Sequence, residues 1–138
     1  MNEWNERNKR VIDEFRAHAG QVGGAFQNRT LLLLHTKGAR SGQERINPVI
    51  YIKDGDRWVV TAHKGGAPTN PDWYYNLLAN PLVTVEVGME TFQARAEVAQ
   101  GPDCTRLYDK MVELLHSFGE YRRKTARSIP VIVLTPVK

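Results

Sequence analysis

A single cysteine, Cys104, stands among 138 residues, so no intramolecular disulfide can form and the fold must be held by its core. Cys104 itself is read as an ordinary helix residue. No run of about 18 apolar residues is present to form a membrane-spanning helix. The opening MNEWNERNKR is too polar for a secretory signal. The chain is therefore expected in the cytoplasm, with contact at the inner face of the membrane through Trp4 as the lesser alternative. The four histidines, His18, His35, His63 and His116, show no metal-ligand spacing and have no cysteine partner, so no metal site is expected. Ser41 has no G-x-S-x-G elbow around it, and neither a P-loop nor a G-x-G-x-x-G fingerprint occurs. No internal repeat or low-complexity tract appears.

Acidic residues are outnumbered, 15 against 19 Lys and Arg, for a formal charge of +4. The excess matters because it clusters: Lys37, Arg40, Arg45 and Lys64 in one group, Arg122, Arg123, Lys124 and Arg127 in another. Nucleic acid is set aside, because the aromatics are not interleaved with the cations as a stacking platform requires. A small polyanion fits better. Lacking an acid–base dyad or an activated nucleophile, the chain must draw its chemistry from a bound cofactor.

The stretch Thr36 to Pro71 offers two glycine-bearing loops. In Gly38 to Arg45 (GARSGQER) the glycines allow a tight turn whose amides converge on an oxyanion, with Arg40 and Arg45 adding forked donors; the alternative is a hairpin tip carrying solvated arginines. Lys64-Gly65-Gly66-Ala67 precedes a helix start, the other place where backbone donors collect, or else it is a plain flexible loop.

Around these loops the periodicities define one domain, residues 1–138, mainly β, an antiparallel β-barrel with flanking helices. A first helix over about residues 3–19, capped by Asn2, places Trp4, Val11, Ile12 and Phe15 on one face. Six strands follow from Thr30–Lys37, Glu44–Lys53, Trp58–Val60, Leu82–Val87, Glu90–Gln100 and Ile129–Thr135. Pro48 demands an edge or a bulge, and Asp54-Gly55-Asp56 marks a hairpin. Asn70 is expected to cap a short helix with Pro71 at its first position, and Asn80-Pro81 to stop it. A helix from Gly101 turns Leu107, Met111, Leu114, Leu115 and Phe118 inward.

Four segments, Gly38 to Pro48, Ala62 to Leu77 (AHKGGAPTNPDWYYNL), Ala79 to Pro81 and Arg127 to Pro130 (RSIP), resemble the deazaflavin-dependent nitroreductase family of actinobacteria, in order and over nearly the whole chain from Thr30. The resemblance implies a split β-barrel similar to the FMN-binding pyridoxamine phosphate oxidases, and reduced coenzyme F420 as hydride donor. It implies that Arg40, Ser41 and Arg45 hold the coenzyme's phosphate and the start of its oligoglutamate tail. Lys64, Gly65, Gly66 and Ala67 would border the ring with Trp73 near it, and Lys37, Asn47, Pro48 and His63 would complete the contacts. The acceptor is then a quinone, enone or nitroaromatic, with His63 or Tyr121 donating to the developing oxyanion, and the protein is expected to pair as a homodimer. His63, Ile50, Leu115 and Phe118 replace polar positions of the nitroimidazole-activating pattern, which implies a more apolar pocket. Two rivals stay open: an FMN enzyme of the same fold, and a non-catalytic carrier of the deazaflavin.

Overall fold

The computed structural model describes residues 3–21, 30–63, 69–115, 118–119 and 129–137. Asn2, the connector at 22–29, the loop at 64–68 and the basic segment at 121–128 lie outside these ranges.

The chain runs α1 (Glu3–Ala17), β1 (Leu31–Lys37), β2 (Glu44–Ile50), β3 (Ile52–Asp54), β4 (Arg57–Thr61), α2 (Asp72–Ala79), β5 (Leu82–Val87), β6 (Glu90–Val98), α3 (Gly101–Leu114) and β7 (Val131–Pro136). All seven strands join one sheet in the order β2-β1-β5-β6-β7-β4-β3, every paired neighbour antiparallel. The outermost strands β2 and β3 are consecutive in the chain, separated by Tyr51 alone. One bent segment thus serves both edges, which forces the sheet to curl toward a barrel.

Glu44–Lys53 is therefore two strands where the sequence suggests one, and the count among the described residues is seven rather than six. The break is tertiary in origin: at Tyr51 the amide donates to the Thr30 carbonyl at 3.0 Å, and the Thr30 hydroxyl donates back to the Tyr51 carbonyl. Pro48 sits opposite Leu33 on edge strand β2, in unbroken register, so the edge reading holds without a bulge. In the β3–β4 hairpin, Asp54 pairs with Arg57 across Gly55-Asp56, and the positive φ of Gly55 (65°) with none at Asp56 is the pattern of a II′ turn.

The apolar run Leu31–Leu34 is explained by burial on both faces. Leu32 and Leu34 point into the barrel with Val60, Val85, Ile132 and Leu134, where Trp73 and Leu77 of α2 also pack. Leu31 and Leu33 point outward beneath Phe15 of α1. Each fully buried leucine contributes about 2 kcal/mol. On another part of the outer face, Leu107, Tyr108 and Met111 of α3 cover Val59, Val131 and Val133.

Two helix details differ from expectation. Pro71, not Asn70, is the N-cap of α2, with no side-chain cap bond; the Asn70 amide instead reaches the Tyr75 hydroxyl at 3.4 Å. Leu114 is 59 % exposed, because α3 ends there and Leu115 (φ −136°) turns the chain away. No described helix is long and apolar enough to cross a membrane.

Candidate functional site

The β1–β2 ladder decides which way each side chain of the basic hairpin points. Thr36 stands opposite Arg45 and Leu34 opposite Asn47, while Lys37 stands opposite Glu44 and Leu33 opposite Pro48. Directly opposed residues share a face and neighbours along a strand alternate. Arg45 and Asn47 thus belong to the face that continues into the barrel interior, the side on which Trp73 is buried at 8 % exposure. Lys37 and Pro48 belong to the other face.

Between the strands, residues 38–43 form a closed turn. The Gly38 amide donates to the Gln43 carbonyl at 2.8 Å, the Gly42 amide to the Gly38 carbonyl at 2.9 Å, and the Gln43 amide to Ser41 Oγ at 3.2 Å. The Ala39 amide donates to Asn76 Oδ1 at 3.0 Å. Four amides are thus already bonded within the protein, which corrects the picture of bare N–H groups converging on an anion. The glycines serve turn closure: Gly42 has φ 69°, and a Cβ on Gly38 would lie 2.5 Å from Ser41 Oγ. Arg40 and Arg45 are exposed, and among the described residues neither has a carboxylate within ion-pair reach.

Asn76 was missed by periodicity because only apolar residues were counted. It lies on the Trp73–Leu77 face of α2, buried at 8 %, and its Nδ2 donates to Thr36 Oγ1 at 3.3 Å. A polar residue at i+3 between two apolar ones at i and i+4 was the available signal.

His63 lies two residues past β4, half-buried, its ring edge-on to Phe118 with centroids 4.7 Å apart and 63° between planes. Phe118 precedes Tyr121 by three positions in sequence. Lys64, Gly65, Gly66, Ala67 and Tyr121 lie outside the described residues. Among the described residues, no group of three or more His, Cys, Asp or Glu is placed to hold a metal ion.

Two charge clusters that sequence reading did not foresee stand apart from this site. On the outer face, Glu86 takes a fork from Arg16 (3.2 and 2.8 Å) and meets His35 Nε2 at 2.5 Å, while His35 Nδ1 faces Glu44 at 3.4 Å. Arg16 chiefly, and His35 to a lesser degree, hold the Glu86 carboxyl below the usual range against the opposing effect of burial. Beside it runs a groove of about 340 Å³, lined by His35, Lys37, Thr84, Gln93 and Arg95 among others. At the hairpin tip, Asp54 gathers Arg57 (2.5 Å), Arg106 (3.2 Å) and Lys110 (3.5 Å), and hydrogen bonds from Arg106 and then Arg57 hold its carboxyl far below the usual range. That cluster fastens α3 to the β3–β4 hairpin.

A sequence-family model described as F420H(2)-dependent quinone reductase matches residues 7–136. An F420H(2)-dependent quinone reductase of Mycobacterium tuberculosis is 43 % identical over 125 residues, 88 % of this chain and 84 % of that protein. Among solved structures, an F420-H2 dependent reductase superposes with a TM-score of 0.71 at 33 % identity, covering 81 % of this chain and 99 % of that one. A chain described as a domain-swapped dimer gives 0.72 at 30 % identity over 96 % and 97 %. A Listeria innocua structure described as a pyridoxamine 5′-phosphate oxidase, 10 % identical with a TM-score of 0.56 over 96 % and 94 %, shares the fold alone. The curled seven-stranded sheet is thus a split β-barrel, and the chain belongs to the F420H(2)-dependent quinone reductase family.

Proposed function

We propose that this protein is an F420H2-dependent reductase that binds the coenzyme where the Gly38–Arg45 turn meets α2. The observation that carries the site is the pair of exposed arginines, Arg40 and Arg45, in the turn bonded to α2, neither with an ion-pair partner among the described residues. A phosphate and a row of carboxylates are the groups such forks complement, each charge-assisted hydrogen bond contributing about 1.5 to 3 kcal/mol. When bound, the reduced coenzyme supplies a hydride to an electron-poor acceptor, for which a quinone is the first choice and an enone or nitroaromatic the alternatives.

The chain's own residues hold, orient and shield. Arg40 and Arg45 grip the anionic tail, with Ser41 and Asn47 as further polar contacts. Trp73, fixed by burial, forms an apolar wall that limits the poses open to a flat ring. His63, kept in place by Phe118, donates a hydrogen bond to oxygen as negative charge develops on the acceptor, with Tyr121 as the second candidate donor. Lys64, Gly65, Gly66 and Ala67 are proposed to border the ring. Lys37 and Pro48, on the opposite face of the ladder, have the weakest claim among the expected contacts. The protein is further proposed to be a cytoplasmic homodimer, with light scattering expected to give twice the chain mass.

The test is anaerobic loss of reduced-coenzyme absorbance on addition of a quinone. Turnover with wild-type protein is the expected result. Tight binding of FMN without uptake of the deazaflavin overturns the coenzyme, and uptake without oxidation by any quinone or enone overturns the enzyme in favour of a carrier.

A further inference from the structure

We infer that Asn76 is a positioning residue, which sets the place of the anion-gripping turn relative to the Trp73 wall; the role rests on the coenzyme reading above. Its side chain is buried at 8 % and spends both ends on another element: Oδ1 accepts the Ala39 amide at 3.0 Å, and Nδ2 donates to Thr36 Oγ1 at 3.3 Å. The orientation of the carboxamide follows from chemistry, since a backbone N–H can only donate and so must face the oxygen.

The turn is otherwise self-contained. Its bonds through Gly38, Gly42 and Gln43 all close within residues 38–43, and among the described residues the Ala39–Asn76 bond is the one that ties it to an element beyond the β1–β2 hairpin. Arg40 and Ser41 follow Ala39 directly, while Trp73 stands on the same helical face as Asn76, one turn earlier. A single carboxamide therefore fixes the distance between the group proposed to hold the coenzyme's charge and the group proposed to limit its ring. Thr36 completes the link, being buried at 3 % directly across the ladder from Arg45. Removing the carboxamide leaves a part-buried amide at Ala39 and a hydroxyl of buried Thr36 without this partner, and the cheapest relief is for the turn, already exposed at Ala39, to swing further toward water.

The experiment compares coenzyme binding and steady-state kinetics in wild type, Asn76→Leu and Asn76→Asp, with Asp54→Asn as a destabilised control remote from the site. For Asn76→Leu, Kd and KM for the coenzyme should rise roughly tenfold while kcat at saturation stays within about twofold, the signature of lost placement rather than lost chemistry. Asn76→Asp supplies a second readout: its protonated carboxyl offers one acceptor and one donor as the amide does, whereas its carboxylate brings negative charge to an anion site. Its affinity relative to wild type should therefore recover as the pH is lowered from about 8 to about 5, and this variant carries the test alone if Asn76→Leu does not fold. Wild-type affinity in Asn76→Leu, an equal loss in Asp54→Asn at matched melting temperature, or a pH-independent ratio for Asn76→Asp overturns the role. Wild-type protein that takes up no coenzyme overturns the coenzyme reading itself, and this role with it.

Discussion

Arg45 stands directly across the β1–β2 ladder from Thr36, one step from the pair formed by Lys37 and Glu44. Two cations that are near neighbours in the hairpin are thereby sent to opposite faces, and only Arg45 joins the side on which Trp73 packs. Arg45→Ala is expected to weaken coenzyme binding by roughly tenfold or more, the value of one charge-assisted contact. Lys37→Ala should change it by less than about twofold, the residual effect of a screened charge. Fluorescence titration of both variants checks the ordering, and equal losses would contradict it.

Gly38 and Ser41 are coupled, because a Cβ on Gly38 would lie 2.5 Å from Ser41 Oγ, the atom that accepts the Gln43 amide at 3.2 Å. Gly38→Ala should displace that hydroxyl and cost about 1 kcal/mol through the lost hydrogen bond. With Ser41→Ala already in place, the same substitution meets little resistance and should cost much less. A double-mutant cycle by denaturant unfolding measures the coupling; strict additivity would show that the clash is absent.

These relationships mark where sequence reading reached and where it stopped. The strands were legible because each carries its own pattern: Phe92, Ala94 and Ala96 alternate on β6, and Leu31–Leu34 is apolar throughout because it is covered on both sides. Pro48 announced an edge by lacking a donor. The break at Tyr51 was not legible, since nothing local interrupts Ile50-Tyr51-Ile52; the barrel needs one segment to serve both of its edges, and that demand exists only in three dimensions. The turn and the positive φ of Gly42 were legible, but the amides of Gly38, Ala39, Gly42 and Gln43, expected to be open to an anion, are bonded within the protein. Asn76, and His35 with Glu86, escaped notice because their partners lie 37 to 51 residues away and polar side chains leave no periodic trace.

Acid should loosen α1. Hydrogen bonds from Arg16 hold Glu86 below its ordinary value of 4.5, with burial opposing and His35 assisting. A carboxyl whose value is lowered by folding stabilises the native state fully above the ordinary value and loses that contribution as the pH falls through the lowered one. Melting temperature is therefore expected to drop below about pH 4.5, and Glu86→Gln should drop less steeply while costing about 1 kcal/mol at neutral pH. Thermal melts across the acid range provide the check, with parallel curves as the contrary result.

Asp54 anchors three cations from the hairpin and from α3. Asp54→Asn should lower the melting temperature by about 2 to 5 °C at low ionic strength, and by less in high salt, as expected for a partly exposed network. Calorimetry at two salt concentrations tests this; a salt-independent loss would point to packing instead.

The account rests most heavily on Arg40 and Arg45 as the grip on the coenzyme's negative charge, and the direct measurement is the dissociation constant of F420 for wild type and for the Arg40→Ala/Arg45→Ala double variant. A loss of roughly a hundredfold or more with the melting temperature preserved is the expected result. Unchanged affinity in the double variant would contradict the account.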